Sequence, residues 1–222
     1  MSIDGEALQR LRIAYTKGEP LRYISHLDMM RLWERTFRRA ELPVAHTQGF
    51  NPRPRIGMAC PLPTGVTSRA ELLDVFLTEW MDVAEVMRRL SDHLPGGMEV
   101  LRMDDVGLRM PALMSLAAVV EYQCHVLWDK PTDSLEAKLL EWMAQTSVMR
   151  ERQRKGRRDT HDLRPLVERL WVIGPSGESW VIGMRLRSDP EGTGRPDEVL
   201  KALGLWDGAT GVERTALLLS AA

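Results

Sequence analysis

Residues 11–16, Leu11-Arg12-Ile13-Ala14-Tyr15-Thr16, alternate apolar and polar side chains. Period two is the signature of a half-buried strand, so Leu11, Ile13 and Tyr15 are expected to face inward. Gly18 and Pro20 break the strand. Ser25 then stands as a helix N-cap, with Asp28 adding negative charge to the first turn. Met30, Trp33 and Phe37 keep helical spacing up to about Ala40, and Arg31, Arg35 and Arg38 fall on a different face. Pro43 ends the helix. A strand, a short breaker and an amphipathic helix thus open the chain, and they set the plan of its first half.

Working outward, Val44–Ile56 reads as a strand or an irregular segment. Leu72–Leu77 reads as a strand, about Asp82–Leu94 as a helix and Met98–Met103 as a strand. That order, βαββαβ, is the order of a ferredoxin-like sandwich. The second half repeats it: a strand at Val120–Val126, a helix at Ser134–Ala144, alternation at Ser147–Arg154, and a hairpin around Gly174-Pro175-Ser176-Gly177. A helix opening at Pro196 and a strand at Val212–Leu218 complete it. The expected class is α+β, with two ferredoxin-like halves at 1–106 and 112–222 and the boundary near Gly107 and Pro111. The repeat lies in the order of elements, not in the residues themselves.

The chain has 222 residues, 44% hydrophobic and 27% charged, an ordinary globular balance. Its N-terminus lacks an apolar signal core and no apolar run is long enough to span a bilayer, so the expectation is a cytoplasmic protein without membrane contact. Cys60 and Cys124 provide neither a disulfide framework nor an iron–sulfur site. His93, His125 and His161 show no metal-ligand spacing, so no metal and no cofactor is expected. Thirteen Met and seven Trp are expected mostly in the core.

Net charge is −1, but 25 of the 30 basic residues are Arg. Arginine is the better fork for phosphate and the better stacker on bases, although a GC-rich coding bias also raises its share. Six basic residues and one acidic fall between Arg150 and Arg158. Arg150, Arg152 and Arg154 have strict period two, so a strand would project them from one face about 7 Å apart. Lys155, Arg157 and Arg158 extend the stripe past Gly156, and Arg164 lies beyond it. The bland reading is a solvated edge strand, with Glu151, Asp159 and Asp162 neutralising it. The other basic element is the Pro-stiffened loop Gly49–Arg55, with Phe50, Asn51, Arg53 and Arg55. A ring, an amide and two guanidiniums are what single-stranded RNA recognition uses for stacking, base edges and phosphate. Its bland reading is a structural loop whose arginines pair with helix carboxylates.

The stretch RIAYTKGEPLRYISHLDMMRLWERTFRRAELPVAHTQGFNPRPRI, then PLPTGVTSRAELLDVFL, resembles the radical SAM-linked domain family, a bacterial domain of unknown function. The later RKGRRDTHDLRPLV resembles the same family's second marker. The resemblance implies association with a radical SAM enzyme, by fusion or as a separate chain. Those enzymes need a CxxxCxxC motif that this sequence lacks, so catalysis would belong to the partner. The duplicated plan is also similar in outline to the CRISPR repeat-processing endonucleases, a likeness of fold alone.

Three functions remain open on these grounds. The leading one is a non-catalytic RNA-binding module that presents tRNA, rRNA or a ribosomal element to a separate radical SAM enzyme. In it the basic strand and the Gly49–Arg55 loop line one cleft between the halves. The second is a metal-independent RNA endonuclease using His26, Tyr23 or His46. The third is a protein-interaction domain for the radical SAM partner.

Overall fold

The computed structural model describes residues 6–154, 157–189 and 192–220, with the backbone alone for 152–154 and 157–159. The opening alternation becomes strand β1 (Gln9–Lys17), with Leu11, Ile13 and Tyr15 fully buried. Helix α1 (His26–Arg39) comes next. Ser25 caps it: its Oγ accepts from the Asp28 amide at 3.2 Å and donates to the Asp28 carboxylate at 2.7 Å. Met29, Trp33, Thr36 and Phe37 form the buried face. Met29 takes the inward position that the spacing assigned to Met30, and Met30 is half-buried on the flank. Trp33 meets Tyr15 edge-on with ring centroids 5.0 Å apart and stacks on Phe37 at 5.1 Å. Burying a side chain such as Phe37 contributes about 1.5–3 kcal/mol.

Strands β2 (Ile56–Met58) and β3 (Thr67–Leu77), helix α2 (Val83–Ser91) and strand β4 (Val100–Val106) continue the chain. The strands lie in the order β2-β3-β1-β4, each neighbour antiparallel to the next. Val86 and Leu90 of α2 join α1 and the inward residues of β1 and β3 in one core. Asp82 caps α2 through its carboxylate. The entry to α1 is pinned at Gly97, whose φ is +87°. A Cβ there would sit 2.9 Å from the Pro20 ring, while the Gly18 amide donates to the Gly97 carbonyl at 2.7 Å. Only glycine meets both demands.

The chain divides into two compact units, one running up to Ala117 and taking in Ser220, the other Ala118–Leu219. Helix α3 (Leu113–Leu116) belongs to the first and packs on β2 and β3. The second unit contains β5 (Ala117–Val126), α4 (Thr132–Ala144), β6 (Met149–Arg154), β7 (Arg157–Asp162), β8 (Val167–Ser176), β9 (Ser179–Asp189), β10 (Gly192–Thr193), α5 (Pro196–Leu203) and β11 (Ala209–Leu219). β5 lies between β9 and β11, and β8 and β10 both pair with β9. Gly183 on β9 stands opposite Trp171 on β8, and the indole covers it so closely that a Cβ would lie 2.0 Å from the ring. Among the described residues β6 and β7 pair only with each other, a ribbon inserted between α4 and β8.

The result is a mixed α/β protein dominated by sheet. Among the described residues, no helix is long and apolar enough to cross a membrane.

Candidate functional site

The segment after α1 returns along the end of β3 and forms an irregular hairpin. The Ala45 amide donates to the Phe76 carbonyl at 2.8 Å and the Arg55 amide to the Ala45 carbonyl at 2.7 Å. The Thr47 amide donates to the Arg53 carbonyl at 2.8 Å, and Thr47 Oγ1 accepts from the Arg53 amide at 3.0 Å. These bonds fix both stems and leave Gln48–Pro52 as the tip. Pro52 and Pro54 remove donors and restrict φ, and Gly49 turns the chain at φ +131°. The loop is shaped by its covalent chemistry and its stem bonds, with no hydrophobic packing at the tip.

At that tip Phe50 is fully exposed, and Asn51 and Arg53 are exposed. Arg55, half-buried at the base, lays its guanidinium 4.3 Å from the centroid of Phe76. Neither Arg53 nor Arg55 has a carboxylate within ion-pair distance among the described residues. The bland expectation of arginines paired to helix carboxylates is therefore not met in this loop.

Two open depressions flank the loop base. One, of about 660 Å³, is bordered by His46, Gln48, Arg55 and Phe76. The other, of about 390 Å³, is bordered by Arg10, Pro54, Arg55, Asp74 and Phe76. They share Thr47, Arg55, Phe76 and Leu108. The floor of the second is a buried charge cluster. The Asp74 carboxylate accepts from Arg10 Nε at 3.0 Å and Nη2 at 2.5 Å, and from Arg12 Nε at 2.9 Å. Arg10 Nη1 and Nη2 also donate to the Met110 and Pro111 carbonyls at 2.6 and 2.8 Å. Arg10 and Arg12 are thus committed to structure, whereas Arg55, which borders both depressions and shares the larger with Glu6, has no ion pair among the described residues.

The remaining expected basic residues belong to the second unit. Arg150 on β6 is half-buried and stands in register with His161 on β7, and Arg152 and Arg154 stand in register with Asp159 and Arg157. Lys155 lies outside the described residues, as do the side chains of Arg152, Arg154, Arg157 and Arg158. Arg164 serves the main chain. Its Nε donates to the carbonyls of Met143 and Gln145 at the end of α4, and its Nη1 to that of Val167 at 2.8 Å. A cation at a helix C-terminus complements the dipole, a bracing role the sequence did not disclose. Asp162 accepts from the Val148 and Arg164 amides, and the Val148 bond leads in holding its carboxyl below the usual range.

Tyr23 is exposed, His46 borders the larger depression, and His26 lines a small enclosed space under the start of α1 with Lys17 and Glu71. Among the described residues, no three His, Cys, Asp or Glu side chains are placed to hold a metal ion.

A family model described as an uncharacterized protein conserved in bacteria, DUF2344, matches residues 10–196. The chain belongs to that family. No curated protein matches it. Among solved structures it is similar to a chain of a Cbf5-Nop10-Gar1 complex, at 12% identity and a TM-score of 0.52, covering 95% of this chain and 49% of that one. A chain of an H/ACA RNP bound to a substrate RNA containing 2'-deoxyuridine aligns at 13% identity and a TM-score of 0.47, covering 93% of this chain and 46% of that one. An archaeal box H/ACA sRNP Nop10-Cbf5 complex gives 12% identity and 0.45, with the same coverage of 93% and 46%. The chain spans about half the length of the solved chains it matches. At 12% identity the likeness to the Cbf5-Nop10-Gar1 chain is one of fold alone.

Proposed function

We propose that the protein is a non-catalytic RNA-binding accessory module that engages single-stranded RNA through the Gln48–Arg55 loop. Phe50 supplies a stacking platform, Asn51 a base-edge donor and acceptor, and Arg53 and Arg55 bind phosphate or stack on a base. The observation that carries this reading is a fully exposed ring beside two arginines without carboxylate partners, on a loop held at both stems. The basic ribbon β6–β7 is proposed as a second contact on its own unit. We further propose the partner implied by the family resemblance, a separate radical SAM enzyme acting on a tRNA, rRNA or ribosomal element.

The topology supports reading each unit as a ferredoxin-like half. The first has the order β2-β3-β1-β4. In the second, β8, β9, β5 and β11 take the corresponding places once the ribbon is set aside.

The test is fluorescence anisotropy with a labelled twelve-nucleotide oligouridylate at low salt. The wild type is expected to bind with Kd below about 10 µM, weakening steeply with added salt. The variant Phe50→Ala/Arg53→Ala/Arg55→Ala is expected to lose at least about tenfold. Equal binding by the two proteins, or no binding by the wild type, overturns the proposal.

A further inference from the structure

The outward side of α1 carries a row of cations that neither the core nor the loop uses. Arg31, Arg35, Arg38 and Arg39 are all exposed. Arg31 is held by Asp28 at 3.1 Å, and Asp28 is also bonded to Ser25. Arg35, Arg38 and Arg39 have no carboxylate within ion-pair distance among the described residues, although the Asp28 charge also acts on Arg35 from further off. Helix α2 is the contrast within the same unit: Arg88 and Arg89 are both held by Glu85, at 2.9 and 2.7 Å. Arg38 and Arg39, in the last turn, complement the helix dipole, but that effect fades within one turn and does not account for Arg31 and Arg35. At 1.5 Å rise per residue, Arg31 to Arg38 spans about 10 Å of helix, with Arg35 between them on the same side. Leu27, one turn before Arg31, is exposed, and so is Tyr23, just ahead of the helix N-cap, where the Arg22 guanidinium lies 5.5 Å from its ring. Guanidiniums along one side of the helix, with an exposed ring just ahead of it in the chain, offer the phosphate and stacking contacts that single-strand binding uses.

We infer that the exposed side of α1 is a phosphate-binding track for RNA, with Arg35, Arg38 and Arg39 on the backbone and Tyr23 stacking on a base at its head. The inference rests on the RNA-binding reading and extends it to a surface outside the loop. It gives Tyr23 a binding role rather than a catalytic one. Phosphate contacts are independent of base identity, so this track adds affinity and salt dependence, not sequence preference.

The test compares Arg35→Gln/Arg38→Gln/Arg39→Gln with wild type, the triple loop variant and the control Arg102→Gln, an exposed arginine held by Asp104. Anisotropy with the oligouridylate is read from low to high salt, and far-UV circular dichroism checks the fold. The slope of log Kd against log salt should flatten by about 2 in the α1 variant, at about 0.7 for each phosphate no longer neutralised, and stay unchanged in the control. Tyr23→Ala should weaken binding several-fold with the slope preserved. If the triple substitution disturbs the fold, the single Arg35→Gln and Arg38→Gln variants replace it, each expected to lose about 0.7 of slope. An unchanged slope in the α1 variant, with loss in the loop variant, overturns the track and leaves the loop reading standing. A flattened slope with no loss in the loop variant does the reverse. No binding by wild type overturns both.

Discussion

Replacing Asp74 by alanine should remove the counter-ion of two buried guanidiniums at once. Asp74, Arg10 and Arg12 are only 1%, 2% and 9% exposed, and one carboxylate accepts from both arginines. In Asp74→Ala, Arg10 keeps the Met110 and Pro111 carbonyls. Arg12 loses its carboxylate acceptor, and two like charges are left facing each other across the vacated space. Breaking a buried pair costs about 3–5 kcal/mol, and two stranded cations place this site at the upper end. Asp74→Asn keeps the shape and one acceptor oxygen and should cost less, about 1.5–3 kcal/mol. Replacing all three with apolar residues, Arg10→Met/Arg12→Met/Asp74→Leu, should recover much of the loss, because the penalty comes from the unpaired charge. Urea denaturation monitored by tryptophan fluorescence measures each value. A loss under about 1 kcal/mol for Asp74→Ala would mean that water reaches the cluster and screens it as it would a surface pair, refuting the reasoning.

Three other sites give further expected outcomes. Gly183→Ala should destabilise the protein by about 1–3 kcal/mol, because the methyl group would displace the Trp171 ring, and a thermal melt within experimental error of wild type would contradict this close packing. The Cys124 thiol is pushed up to about 12 by burial, so it should resist iodoacetamide at pH 8 until the protein is unfolded; rapid native labelling would count against its placement. Bonds from Arg88 and then Arg89 lower the Glu85 carboxyl from 4.5 to about 2. A lowered acid stabilises the fold above its unfolded pKa and loses that contribution as pH falls through the folded value. The stability advantage of wild type over Glu85→Gln should therefore be complete above about pH 4.5, shrink toward pH 2, and weaken with salt; a pH-independent difference would refute it.

The strand and helix at the head of the chain were legible because their burial is periodic: Leu11, Ile13 and Tyr15 at period two, Trp33 and Phe37 at helical spacing. The opening of α5 at Pro196 was legible from local chemistry alone. Elsewhere local pattern failed for identifiable reasons. Arg12 read as the solvent side of an alternating strand, yet that side is covered, and its partner Asp74 lies more than sixty positions away. Arg157–Asp162 has no apolar alternation, so its pairing with β6 was invisible, although the register shows one continuous ribbon. Arg164 looked like a member of the basic run, and only the approach of the end of α4 shows its carbonyl partners. The loop itself was recognisable from its composition. The packing of Arg55 on Phe76, twenty-one positions on, could not be read from the local pattern.

The most direct measurement is photo-crosslinking of the protein to a uridine-containing single strand, with the crosslinked peptides sequenced by mass spectrometry. The account predicts crosslinks on Phe50 and its neighbours in the Gln48–Arg55 loop, competed away by unlabelled RNA. Crosslinks confined to other segments, or none at concentrations where binding saturates, would contradict it.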